Sequence, residues 1–167
     1  MLDLLARLED AGFSVWVRES SSLLAFPGIL LIHTIGMALV VGISAGITLR
    51  ILGFAPAFPL APMEKFFPLL WIGFWMNAAS GVVLLAADAT TRLTNWDFYL
   101  KMVFIILALV NHRMLRIRLF SDPQIDKAPL STNLKILAVT SMLFWLGAIT
   151  SGRLLAYVGP VSGLAGK

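Results

Sequence analysis

Of the 167 residues, 59% are hydrophobic and 13% charged, against about 25% charged in an ordinary soluble domain; the mean hydropathy is +0.88. That balance excludes a soluble globular domain, and it excludes disorder, which needs low hydrophobicity and high net charge. With no cysteine there is no disulfide framework, thiolate zinc site or cysteine-held iron–sulfur cluster. The net charge of +4 in so apolar a chain reads as the bias of Lys and Arg towards one membrane face. No nucleic-acid partner is expected. The length suits one domain.

In chain order, residues 1–20 lack the basic opening and small-residue cleavage site of a signal peptide. Leu2, Leu5, Leu8 and Ala11 recur near helical spacing with charges between them. This predicts an amphipathic helix lying in the membrane interface, or else a tail that contacts a partner. Residues 21–167 form the membrane domain. Residues 20–49 carry no Asp, Glu, Lys or Arg, and a helix needs about 20 apolar residues to cross the hydrocarbon core. A first span is therefore predicted over 26–50, with Pro27 in its first turn, where a missing N–H is no loss. The segment FAPAFPLAP (54–62) carries three prolines and cannot continue it.

A second span is predicted over 66–87, between Lys65 and Asp88, and DATTRLTNW (88–96) reads as a polar turn. The third, over 97–115, is interrupted only by Asp97 and Lys101 near its start. Trp96 and Tyr99 suit interfacial anchors, and Lys101 can snorkel. SDPQIDKAPLST (121–132) leads to a fourth span over 134–155. The expected fold is all-α: a four-transmembrane-helix bundle with an N-terminal interfacial helix. The first and third loops with their flanks hold Arg50, Lys65, Arg113, Arg116, Arg118, Lys127 and Lys135. The termini and second loop hold Arg7, Arg18, Arg92, Arg153 and Lys167, with Lys101 just inside. This bias places both termini outside, which is the periplasm for a bacterial inner-membrane protein.

Both histidines, His33 and His112, fall inside predicted spans. Ionisable groups in a membrane helix are costly, usually face the bundle interior and mark a function. Without cysteine, two histidines on different helices point to axial ligation of haem b, since imidazole binds haem iron and bundles build cofactor sites from inward-facing side chains. Gly36 lies one turn beyond His33. Gly42 and Gly46 form a small-xxx-small pair that serves either a cofactor pocket or helix packing. Lys101 and His112, eleven residues apart, share a helix face, so Lys101 is either a propionate contact or a snorkelling lysine. Arg153 near the end of the fourth span could meet a propionate, a quinone carbonyl or lipid phosphate. Asn77 and Asn111 are further polar candidates, either of which can serve as an interhelical hydrogen bond alone. One difficulty is depth: counted from the outer ends, His33 lies about 10 Å in and His112 about 22 Å, so either tilt brings them level or one alone is a ligand. No acid suited to proton-coupled transport lies within a span, Asp88 and Asp97 reading as boundary residues. A serine hydrolase, a phosphate-binding loop and a methionine-lined copper path are likewise unsupported.

The stretches HTIGMALVVGISAGITLR and KMVFIILALVNH resemble a group of small bacterial four-helix membrane proteins. The group includes the membrane-embedded, haem-binding type of protoporphyrinogen oxidase and the membrane domain of copper-resistance protein D. The resemblance covers about a third of the chain. It matches His33, Gly36 and Arg50 to a histidine, glycine and closing arginine of the oxidase helix, and Lys101 and His112 to its lysine and histidine eleven residues apart. It implies a haem b protein with His33 as ligand and Lys101 as a functional residue. The aromatic-rich pattern of the oxidase helix is replaced here by Val40, Val41 and Ile43. The N-terminal segment and the SGRLLAY ending look more like an uncharacterised sister family.

The expectation is thus an inner-membrane haem b protein, bis-histidine or single-histidine ligated, exchanging electrons with the quinone pool or a partner redox protein. His33 and His112 are the iron-ligand candidates; Lys101, Arg153, Gly36 and Arg50 are further cofactor contacts, with quinone as a second cofactor. The lipid bilayer is the expected surrounding partner. The alternatives are a cofactor-free subunit of a larger membrane complex or a homo-oligomer, and a porphyrinogen oxidase-like enzyme.

Overall fold

A backbone in hydrocarbon finds no water to bond, so each uncharged stretch must satisfy its own N–H and C=O groups as a helix. The computed structural model describes residues 2–122, 125, 126 and 129–155. Its helices are α1 (Leu2–Glu9), α2 (Gly12–Glu19), α3 (Phe26–Ile51), α4 (Phe67–Ala87), α5 (Ala89–Leu93), α6 (Trp96–Phe120) and α7 (Thr132–Leu154). A 3-10 helix over Ala61–Phe66 leads into α4. No strand occurs among the described residues. Four helices are long and apolar enough to cross a membrane: α3, α4 with its 3-10 lead, α6 and α7. Their large apolar side chains point outward, as at Leu31, Ile72, Trp75, Ile106 and Leu143, the reverse of a soluble bundle and the arrangement that lipid requires. The protein is a multi-pass, all-α membrane bundle. Lys127 and Lys167, which contribute to the charge bias, lie outside the described residues.

The helix ends follow local chemistry. Pro27 and Pro68 occupy first-turn positions in α3 and α4, and the Asn95 side chain accepts from Asp97 N to open α6. The Ser131 side chain opens α7 in the same way. After α3 the chain turns through Gly53 at φ 99°, a conformation that favours glycine. Two differences from the sequence expectation stand out. Residues 88–96 are not simply a turn: they contain α5, closed by Thr94, whose hydroxyl donates to Thr90 O at 2.7 Å. Helix α6 continues five residues past 115, because Leu115 and Leu119 remain in the core while Arg113, Arg116 and Arg118 face out. That amphipathic turn leaves the apolar zone without unwinding.

The N-terminal segment is two short helices rather than one, broken where Ala11 is extended. Leu5, Ser14 and Val17 face the protein, whereas Leu4, Leu8, Phe13 and Trp16 are exposed. The Glu9 carboxylate accepts from Thr90 N, and Arg18 donates to Ala87 O at 3.1 Å. The pair thus caps the α4–α5 end of the bundle and leaves an apolar row outward, the pattern of an interfacial helix.

The four long helices form two antiparallel hairpins, α3/α4 and α6/α7, joined along α3 and α7. In the first hairpin a Cβ on Gly36 would lie 2.6 Å from Gly73 O and 2.7 Å from Asn77 N, so the two backbones cross in direct contact. In the second, Gly147 accommodates the ring of Phe104. One asparagine clasps each hairpin: Asn77 donates to His33 O at 2.8 Å, and Asn111 to Thr140 Oγ1 at 2.6 Å. Between hairpins, Thr48 donates to Ala138 O at 3.3 Å. Beyond the membrane helices, the Asp126 carboxylate accepts from Leu60 N at 2.6 Å and Ala61 N at 3.0 Å, stapling the third loop to the first.

The interior is layered. One apolar cluster contains Val40, Leu70, Ala108, Trp145 and Ala148. A second contains Ile47, Ile51, Phe67, Leu115, Leu119 and Ala138, together with the loop residues Leu60 and Ile125. Between them, about one helical turn from members of each cluster, fall the buried polar residues Ser44, His112 and Ser141.

Candidate functional site

The two histidines occupy different ends of this framework. His33 is half-buried on α3 and faces α4, with its Nδ1 3.1 Å from Ser80 Oγ. The Ser80 hydroxyl lies 2.7 Å from Met76 O and 3.1 Å from Asn77 O. A serine has one hydrogen to give. When that hydrogen goes to the backbone, Ser80 Oγ accepts from His33 Nδ1–H, and the lone pair of Nε2 is left free. Gly81 makes the approach feasible: a Cβ there would lie 3.3 Å from the imidazole Cε1. Asn77, Ser80 and Gly81 stand at i, i+3 and i+4 on one face of α4, so one helix surface holds the backbone and the ring of His33 together.

Two cations face the same end. They are Lys101, near the start of α6, and Arg92 on α5. The Lys101 side chain runs along Gly152 of α7, where a Cβ would stand 3.5 Å from its Cδ and Cε. Glycine therefore gives the lysine its channel. Arg92 also pairs with Asp88 at 3.3 Å. Arg153, the residue after Gly152, is exposed. Asp97 stands at the span boundary, in the first turn of α6, and is nevertheless only 1% exposed. Its two carboxylate oxygens have no hydrogen-bond partner among the described residues. It precedes Lys101 by one turn, on the same face.

His112 is enclosed differently. It is 3% exposed, its ring lies 4.8 Å from that of Phe67, and neither ring nitrogen has a partner among the described residues. Along α4, Phe67 at the His112 end and Ser80 at the His33 end are thirteen residues apart, about 20 Å. The depth mismatch inferred from the sequence is therefore real, and tilt does not close it. The two imidazoles cannot ligate one iron on opposite sides of a single ring, which would place them within a few ångströms of the same atom.

The other sequence candidates divide accordingly. Gly36 is filled by the α4 backbone and sets the helix crossing, leaving no space there for a flat ring. Arg50 bonds the carbonyls of Phe58 and Pro56 in the first loop, at the end of α3 away from His33. Gly42 and Gly46 have open space where a Cβ would project. Sequence reasoning missed Ser80, Gly81, Arg92 and the burial of Asp97. The helical spacing of Asn77, Ser80 and Gly81, three small or polar residues in an apolar helix, was the available signal.

Among the described residues, no group of three or more His, Cys, Asp or Glu side chains is gathered to hold a metal ion. The requirement for an axial haem ligand is smaller, a single imidazole with a free nitrogen. In comparisons with family models, curated proteins and solved structures, nothing matches this chain.

Proposed function

We propose that this chain is a membrane haem b protein with one protein histidine ligand, His33, which exchanges electrons with the quinone pool or a partner redox protein. The observation that carries the reading is the Ser80 bond: with the Ser80 hydrogen on the α4 backbone, His33 Nδ1 is the donor and Nε2 is the ligand atom of the proposal. A ligating histidine characteristically has its other nitrogen held in this way, which fixes the tautomer and orients the ring. Asn77 anchors the backbone beneath it, and Gly81 keeps the ring's flank open. Lys101, Arg92 and Arg153 provide positive charge for the two propionates of a haem. Asp97 offsets part of that charge. The haem, when bound, supplies a reversible one-electron iron centre; the residues named here hold and orient it and tune its surroundings. The reading includes the bacterial inner membrane as location and the periplasmic side for the His33 end and both termini, the latter resting on the Lys and Arg bias.

The test is a reduced-minus-oxidised spectrum of detergent-purified protein expressed with adequate haem. Soret and α bands are expected, lost in His33→Ala and retained in His112→Ala. A spectrum without these bands, or one unchanged in His33→Ala, overturns the reading.

A second reading is favoured by the open space at Gly42 and Gly46. Small residues four apart on a membrane helix let a neighbouring helix approach closely, which suits a cofactor-free subunit of a larger membrane complex. Native mass spectrometry separates the two: a bound mass equal to haem supports the first reading, and protein partners alone support the second.

A further inference from the structure

The geometry points to a lipid site at the arginine-rich end: the cleft between α4 and α6 takes an anionic phospholipid, its phosphate held by Arg113 and Arg116 and an acyl chain laid along the apolar wall beneath them. The two hairpins are joined along α3 and α7, whereas their other seam, between α4 and α6, is the looser one. That seam holds a cleft of about 630 Å³, within the range of small-molecule sites.

Polar and apolar groups follow one another along its walls. Arg113, Arg116 and Ser121 lie towards the end of α6, and Val110 lies one turn further into the span. On α4, Trp71 stands one turn deeper than Phe67. Val110 and Trp71 are both exposed on a surface that hydrocarbon must cover, so the cleft opens sideways to lipid. A phospholipid carries the same order, a charged phosphate followed by hydrocarbon.

The charge also matches. Arg116 is 3.4 Å from Glu64 Oε1 and 5.0 Å above the Phe67 ring, which holds its guanidinium at the rim with most of its five N–H donors left over. Arg113, one turn earlier, is exposed and forms no ion pair among the described residues. Two guanidiniums against one carboxylate leave the rim net positive, and the arginine fork fits phosphate oxygens. Both His112 nitrogens are buried, so the strong donors open to a ligand are the guanidiniums. Basic pockets between membrane helices are a recurring form of anionic-lipid recognition. A soluble anion would leave the apolar wall uncovered, and a zwitterionic lipid would bring its own cation against the arginines. The site needs neither haem nor His33, so it stands or falls apart from the proposed function.

The full chain in detergent is titrated with phosphatidylglycerol carrying brominated acyl chains, whose bromines quench nearby tryptophan, and with phosphatidylcholine of identical chains. Trp71→Phe identifies the part of the signal that arises in the cleft. Saturable quenching of Trp71, selective for phosphatidylglycerol, is expected. Arg113→Gln should weaken it about tenfold, the scale of one charge-assisted hydrogen bond. Arg118→Gln, which removes a charge from the same end of α6 but outside the cleft, should bind as wild type. Inorganic phosphate at constant ionic strength should not displace the lipid. Equal quenching of Trp71 by the two lipids, or equal affinity in Arg113→Gln and wild type, overturns the inference. So does an equal loss in Arg118→Gln, which assigns binding to a diffuse positive field. Displacement by phosphate also overturns it and makes the cleft a site for a free anion.

Discussion

The two histidines sit in the same bundle under opposite conditions. His33 has its ring held by Ser80, its backbone by Asn77 and its flank cleared by Gly81. His112 is more deeply buried, yet neither nitrogen has a hydrogen-bond partner among the described residues. Burial alone would rank His112 as the stronger functional candidate. Hydrogen bonding distinguishes them: the His33 ring is held through Nδ1, whereas the His112 ring is held by packing against Phe67. A histidine in a membrane helix is thus read through the atom that holds its ring as well as through its depth.

The largest expected effect tests the scaffold beneath His33. Gly36→Ala places a methyl 2.6 Å from a backbone oxygen of α4, which no rotamer change relieves. A loss of about 1–3 kcal/mol or more is expected from overpacking, read as a lower thermal unfolding midpoint in detergent. The same substitution at Gly42, where space is open, should stabilise by up to about 1 kcal/mol through helix propensity. If the two variants shift the midpoint alike, the backbone crossing is not the constraint. If Gly42→Ala instead dissociates a complex, the subunit reading gains.

The next experiment sets the histidines against each other. In detergent His112→Leu removes two buried atoms that have no partner among the described residues and should raise stability by about 1–2 kcal/mol. His33→Leu deletes a made hydrogen bond and should lower it by about 1 kcal/mol. Equal and negative shifts on thermal unfolding would erase the distinction. The smallest effect is expected from Ser80→Ala. It should cost about 0.5–1.5 kcal/mol and leave haem bound, but alter the band positions or midpoint potential as the ligand loses its orienting partner. Spectra and potentials identical to wild type would show that Ser80 does not position His33.

The four spans were legible because charge is so costly in hydrocarbon that its absence over 20 residues is nearly a structural statement. The polar exceptions were legible for the same reason: His33, His112, Asn77 and Asn111 are all interior or interhelical. The pairing of those exceptions was not legible. That Ser80 holds His33, or that Glu9 reaches Thr90, depends on how two helices cross, and the crossing depends on a Gly36–Gly73 contact linking positions far apart in the chain. The burial of Asp97 was not legible for a related reason. Its position near a span boundary marks its depth, whereas its burial comes from the surrounding helices. The extra length of α6 lay in the spacing of Leu115 and Leu119, hidden beneath the arginines between them.

The Asp126 staple bears on assembly. Its acceptor oxygens belong to the loop between α6 and α7, and the amides they bind belong to the loop between α3 and α4. Neither hairpin can form this contact alone. Each carries its own asparagine clasp and a glycine at its close contact. The carboxylate is therefore a latch between the two hairpins, closed only where their register is correct.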